Sequence, residues 1–110
     1  DQVAVMYAGR IVEYGEAADV MLNPQHPYTR AMLAATAKDQ DRTRPLEAIG
    51  GAPPDLRDLP EGCSFAPRCR FAAPSCAASP PTVADARGHM ALCAKTKVFE
   101  GQLVFDEAAA

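Results

Sequence analysis

Four cysteines, Cys63, Cys69, Cys76 and Cys93, lie within one 31-residue stretch, spaced C-x5-C-x6-C-x16-C, and the chain has no others. Thiolates are soft ligands that select zinc, Cu(I) and iron–sulfur clusters, so this grouping predicts a metal or cluster site. Three occupations compete. Disulfides are the first, but nothing in the sequence indicates secretion, and disulfides are rare in reducing compartments. Structural zinc is the second. Zinc sites are usually built on knuckles in which one tight C-x2–4-C turn supplies half of a tetrahedron, and the shortest gap here is five residues. His89 could replace one thiolate in a mixed zinc site. The third is a [4Fe–4S] cluster, which four cysteine thiolates hold. A cubane is larger than one ion and spreads its ligands, so x5 and x6 loops can reach around it. Arg68, Arg70 and Arg87 stand near the cysteines in sequence and could offset a cluster's negative charge. Phe65 and Phe71 could shield it from water. The spacing favours the cluster as a structural staple. Zinc, or a redox-sensing or electron-transfer use of the same cluster, are the alternatives.

Little else suggests chemistry. His26 stands alone before Pro27 and reads as a helix-entry residue. His89, four residues before Cys93, is expected to pack or hydrogen-bond near the cysteines. Asp55 and Asp58 are spaced like turn residues. There is no GxxxxGK[ST] phosphate loop and no Ser/His/Asp arrangement, so no catalytic residue is expected in the chain itself.

The elements that must position the cysteines are modest. At 110 residues the chain is one small domain or a piece of a larger one. Apolar residues make up 48%, but many are alanine, aromatics are only 6%, and seven of the ten prolines lie from residue 53 onward. A region so poor in core needs a staple. The net charge of −3 argues against a nucleic-acid partner, which normally meets a basic face. No apolar run approaches the roughly 20 residues that span a bilayer.

Residues 3–14 read as a β-hairpin turning at Ala8-Gly9 and ended by Gly15. Its first arm is apolar on both sides, which suits a strand covered on both faces by neighbours that need not lie in this chain. Glu16–Leu22 reads as a short helix stopped by Asn23-Pro24. A second helix follows, capped by His26 and opened by Pro27. Tyr28, Ala31, Met32 and Ala35 recur at helical spacing and are expected to bury one face, with Tyr28 and Met32 in the core. Residues 38–48 read as a charged linker. Gly50–Pro54 reads as extended chain, with Leu56 and Leu59 as anchors. The prolines between 60 and 94 leave room for single helical turns only. Lys97–Phe105 is strand-like, broken by Gly101, and Ala108–Ala110 reads as frayed. The fold class is α+β, small and irregular: an N-terminal β-hairpin and two short helices, then a Pro-rich, cluster-stapled loop domain. The expected boundaries are 1–37, a linker at 38–59, the cysteine domain at 60–94 and a tail at 95–110. The chain opens Asp1-Gln2-Val3-Ala4-Val5, in strand from the start and without an initiator methionine or leader. A fragment of a longer chain is expected, whose exposed hairpin edges can pair between copies.

Three stretches carry a family resemblance. VAVMYAGRIVEYG resembles the strand pair that follows the switch histidine in ABC transporter ATP-binding subunits. NPQHPYTRAMLAA resembles, more specifically, the segment that marks the oligopeptide/dipeptide branch of ABC importers, nickel importers included. GGAPPDLRDLPEGCSFAPRC is similar to that branch's C-terminal extension, with Gly51, Pro53, Pro54, Leu56, Pro60, Gly62, Cys63, Phe65, Pro67, Arg68 and Cys69 at matching places. Cys76 and Cys93 match as well. Met32 departs from a common leucine, and the tail after Cys93 supports no match. The resemblance implies the C-terminal region of a peptide-importer ATPase, with the phosphate loop, Walker B acid, signature motif and switch histidine all before Asp1. ATP and Mg would then bind the parent and not this chain. It further implies a [4Fe–4S] cluster on Cys63, Cys69, Cys76 and Cys93. The implied partners are the parent ATPase domain, a second ATP-binding subunit and transmembrane permease subunits, and the implied place is the cytoplasmic face of the membrane.

Overall fold

The structure is a computed structural model and describes residues 1–36 and 49–106. The predicted charged linker at 38–48 and the predicted frayed end at Ala108–Ala110 lie outside the described residues.

Strands β1 (Gln2–Tyr7) and β2 (Arg10–Glu16) form the expected antiparallel hairpin. Its turn residues Ala8 and Gly9 have φ of 52° and 79°. Two positive φ values match the right-handed twist of the strands, and glycine holds the second at no steric cost. Along β2 the pairing slips: Val5 faces Glu13 but Met6 faces Ile11, leaving Val12 unpaired as a β-bulge. A bulge suspends strict alternation. Val12 and Glu13 are in consequence both buried, at 4% and 0% exposure.

β1 alternates between exposed and inward residues, with Met6 59% exposed. Among the described residues only β2 pairs with it, so it lies at the edge of the sheet. One expectation for the hairpin is corrected. Gly15 does not end the hairpin. It pairs with Val3 inside β2, and a Cβ there would stand 3.2 Å from the His89 Cα and ring. Glycine lets the two backbones approach.

Helix α1 (Ala17–Leu22) ends at Asn23, before Pro24. Helix α2 (Pro27–Ala34) begins as the sequence indicated: His26 is extended, and its Nδ1 accepts the Tyr28 N–H at 3.0 Å. The predicted apolar stripe is only partly correct. Pro27 and Thr29 are buried, Tyr28 is half-buried, and Met32 is 43% exposed rather than in the core. A helix of about two turns that docks through its N-terminal end leaves its later residues outside.

Beyond residue 49, single 3-10 turns at Ala66–Arg68 and Pro74–Ala77 fit the proline-limited expectation. Strands β3 (Thr82–Ala84) and β4 (Met90–Leu92) were not foreseen. β4 pairs with β3 and also with β2, through Glu13–Ala91 and Tyr14–Met90, giving a sheet ordered β1-β2-β4-β3. The cysteine region thus extends the sheet that the N-terminal hairpin begins. Strands β5 (Thr96–Phe99) and β6 (Gln102–Phe105) form a separate hairpin around Glu100-Gly101, as the tail's composition suggested. Leu59 is half-buried, but Leu56 is 67% exposed and anchors nothing among the described residues.

The core is small and aromatic. Tyr7, Val12 and Phe65 form its buried centre, with Tyr28, Cys63 and Cys69 packed against it. Phe65 meets Tyr7 edge-on at 5.2 Å between centroids and Tyr28 at 5.4 Å. Such pairs add about 0.5–1.5 kcal/mol each beyond area burial. They join β1, α2 and the first cysteine loop. The whole is a small, irregular α+β fold. No helix among the described residues is long and apolar enough to cross a membrane.

Candidate cysteine site

The first two cysteines bracket one tight loop. The Ala66 N–H donates to the Cys63 carbonyl at 3.1 Å, and the Cys69 N–H donates to the Ala66 carbonyl at 3.2 Å. Pro67 sits within the 3-10 turn between them. Cys76 closes the next turn, and the Cys63 N–H donates to its carbonyl at 3.0 Å. That approach depends on Gly62, whose φ is +81° and whose missing Cβ would lie 2.5 Å from the same carbonyl. Cys93 follows β4, its N–H donating to the Pro81 carbonyl at 3.2 Å. Local turns place three of the four cysteines, and the sheet places the last.

Cys76 and Cys93 are buried, Cys63 and Cys69 half-buried, and all four are free thiols. They share one electrostatic neighbourhood. Burial raises the Cys69 thiol to about 11, the Phe71 N–H opposes this, and Cys63, Cys93 and Cys76 each add to the rise. Burial likewise pushes Cys63 and Cys93 up; Cys76 raises both, and Cys63 raises Cys93. Backbone donors are aimed at the sulfurs. Phe71 N–H donates to Cys69 Sγ and Lys95 N–H to Cys93 Sγ, both at 3.4 Å, and Phe65 N–H serves Cys63 in the same way. Donors at i+2 favour a thiolate over a thiol. Among the described residues, no three His, Cys, Asp or Glu side chains gather closely enough to seat a single metal ion.

The predicted cationic surround differs from what is seen. Arg68 donates from Nε to the Gly50 carbonyl at 2.8 Å, Arg87 pairs with Asp19 at 3.3 Å, and Arg70 lies against the Phe71 ring. The nearby cation that favours the thiolate of Cys63 is Arg10, which the sequence did not single out. Cys63 and Cys69 pack against the core cluster of Tyr7, Val12 and Phe65. Phe71 instead meets Phe105 edge-on, 5.1 Å between centroids. Asp55 is a turn residue as expected, accepting the Arg57 N–H at 3.0 Å.

His89 does not point at the sulfurs as a ligand. Its Nε2 lies 2.6 Å from Glu13 Oε2, with both side chains buried. Glu13 also accepts the Gln25 N–H on both oxygens, at 3.1 and 2.9 Å, and the His26 N–H at 2.8 Å. One carboxylate therefore ties β2, the entry to α2 and the turn before β4. No periodic pattern points to Glu13, because simple alternation along a strand does not bury two successive residues. The bulge does.

The protein family described as the oligopeptide/dipeptide transporter C-terminal region matches residues 12–76. The chain is 43% identical over 95 residues to the oligopeptide transport ATP-binding protein OppD of Salmonella typhimurium, covering 86% of this chain and 28% of that protein. It is 42% identical over 95 residues to the OppD of Escherichia coli, with the same coverage. With the Haemophilus influenzae OppD it shares 41% over 93 residues, 84% of this chain and 29% of that protein. The chain thus spans under a third of the length of these relatives. The match begins in β2 and runs through the QHP helix entry to the third cysteine, which are the segments that Glu13 and Phe65 hold together. This chain belongs to the oligopeptide/dipeptide transporter C-terminal region family.

Proposed function

We propose that this chain is an accessory region of a peptide-importer ATP-binding subunit, and that Cys63, Cys69, Cys76 and Cys93 hold a [4Fe–4S] cluster that braces it. The observation that carries this is the set of backbone N–H donors aimed at the sulfurs of Cys63, Cys69 and Cys93, beside the four-cysteine spacing of the sequence. Sulfur ligands of clusters are tuned by such hydrogen bonds. Gaps of five and six residues between the first three cysteines suit a multi-iron cluster better than one ion, which usually takes closer knuckles. When bound, the group would supply iron–thiolate links between loops that otherwise have little core.

The chain's own residues prepare that role. Gly62 lets the Cys63 and Cys76 turns touch, Phe65 closes the apolar side, and β4 fixes Cys93 against the hairpin. ATP binding and hydrolysis would belong to residues preceding Asp1 in the full-length subunit. That subunit would pair with a second ATP-binding subunit beneath membrane permease subunits, on the cytoplasmic face. The family membership and the named relatives support this setting.

Amide exchange on the full-length subunit tests the brace. Cys69→Ser is expected to speed exchange across residues 60–80 while sparing α2. Unchanged protection of those loops would rule the brace out.

A further inference from the structure

We propose that the cleft between α2 and the Cys63–Cys69 loop is a binding site for a small organic anion with an apolar body, a carboxylate or phosphate on an aryl or alkyl frame. The cleft has a volume of about 570 Å³, within the roughly 300–1,000 Å³ usual for small-molecule sites. Ala31 of α2, Phe65 and Phe71 give it apolar lining, and Arg30, Arg68 and Arg70 line the same space.

Arg68 is held in place by hydrogen bonds, and Arg30 and Arg70 lie against aromatic rings. Arg68 donates to the Gly50 carbonyl at 2.8 Å, and to the Ile49 carbonyl and Tyr7 hydroxyl at 3.4 Å. That fixes its plane and leaves two of a guanidinium's five N–H donors. Arg70 is exposed, rests 5.9 Å from the Phe71 centroid, and donates to no acceptor among the described residues. Arg30 lies 4.7 Å from the Phe105 centroid and 5.8 Å from that of Phe71. Guanidinium planes backed by aromatic rings are pre-organised for bidentate recognition of carboxylate or phosphate.

The chain as a whole is acidic, with net charge −3, and Arg68 and Arg70 bring positive charge to this one cleft. Positive charge beside an apolar lining matches an anion that has a body to desolvate. A bare inorganic anion would leave that lining unused. No cysteine sulfur lines the cleft, but Phe65, Arg68, Arg70 and Phe71 lie in the loops that carry Cys63, Cys69 and Cys76, so the site depends on those loops being held.

The test uses the full-length ATP-binding subunit and two probes, 1-naphthoate and its neutral relative 1-naphthalenemethanol, titrated by ligand-detected NMR. The carboxylate is expected to bind about tenfold or more tightly than the alcohol. Arg70→Ala should remove most of that preference, with unchanged thermal unfolding as the check on folding. Ala34→Trp, which fills the cleft from α2, should abolish binding of both probes. Equal binding of the two probes, naphthoate binding untouched by both variants, or no binding because a protein segment covers the cleft would each overturn the proposal.

Discussion

Glu13 and His89 stand 76 residues apart in sequence, yet His89 Nε2 meets the Glu13 carboxylate at 2.6 Å in a fully buried contact. A carboxylate only accepts, so the proton of this bond sits on Nε2. The same carboxylate accepts the Gln25 and His26 N–H groups. Three donors from two distant segments thus converge on one strand residue.

Glu13→Ala is therefore expected to be severely destabilising. It leaves two backbone N–H groups and a buried imidazole without their acceptor, at a cost of about 3–5 kcal/mol. Glu13→Gln keeps an accepting oxygen but turns an N–H2 group toward a donor, and should cost less. Denaturant unfolding of the full-length subunit measures both. Amide exchange should accelerate first at Gln25 and His26 in each variant.

His26 carries a pH dependence of defined sign. Burial lowers its imidazole from the ordinary 6.5 to about 4, and its Nδ1 must stay unprotonated to accept the Tyr28 N–H. With a folded value below the unfolded one, the unfolded chain binds the extra proton first. Stability is then unaffected at neutral pH and falls as pH drops from 6.5 toward 4. The full loss is about 3 kcal/mol. His26→Asn, which keeps a capping acceptor but does not titrate, should flatten that slope in unfolding curves between pH 7 and 4.

Gly62→Ala tests the contact between the first and third cysteine turns. A methyl group there would lie 2.5 Å from the Cys76 carbonyl and 2.6 Å from Ala77 carbon, at a φ of +81°. Backbone atoms on both sides cannot yield cheaply, so the expected cost is about 3 kcal/mol or more. The damage should be local. Exchange at Cys63, whose N–H bonds Cys76, should rise, while the β5–β6 hairpin keeps its protection.

The parts legible in the sequence were those governed by local chemistry. Ala8-Gly9, the His26-Pro27 helix entry, the Asn23-Pro24 stop and the Gly101 turn each require particular residues, and each lies where the pattern put it. What was missed depends on long-range pairing. β4 is three residues long, and nothing in Met90–Leu92 announces that it adds to β2. The Val12 bulge hides the burial of Glu13 from any periodic pattern. Arg68 and Arg87 looked like neighbours of the cysteines because they are near them in sequence. Their side chains instead reach to Gly50 and Asp19, which only the folded chain brings close. The cysteines themselves were legible as a group, since x5 and x6 loops keep Cys63, Cys69 and Cys76 together, but the closing position of Cys93 depends on the sheet.

The most direct test of the cysteine site is iron and acid-labile sulfide analysis, with a visible absorption spectrum, on the full-length subunit purified without oxygen. The account predicts a coloured protein with about four irons and four sulfides per chain, lost when Cys63, Cys69, Cys76 and Cys93 are all replaced by serine. A colourless protein carrying zinc, or one carrying neither metal nor sulfide, would contradict it.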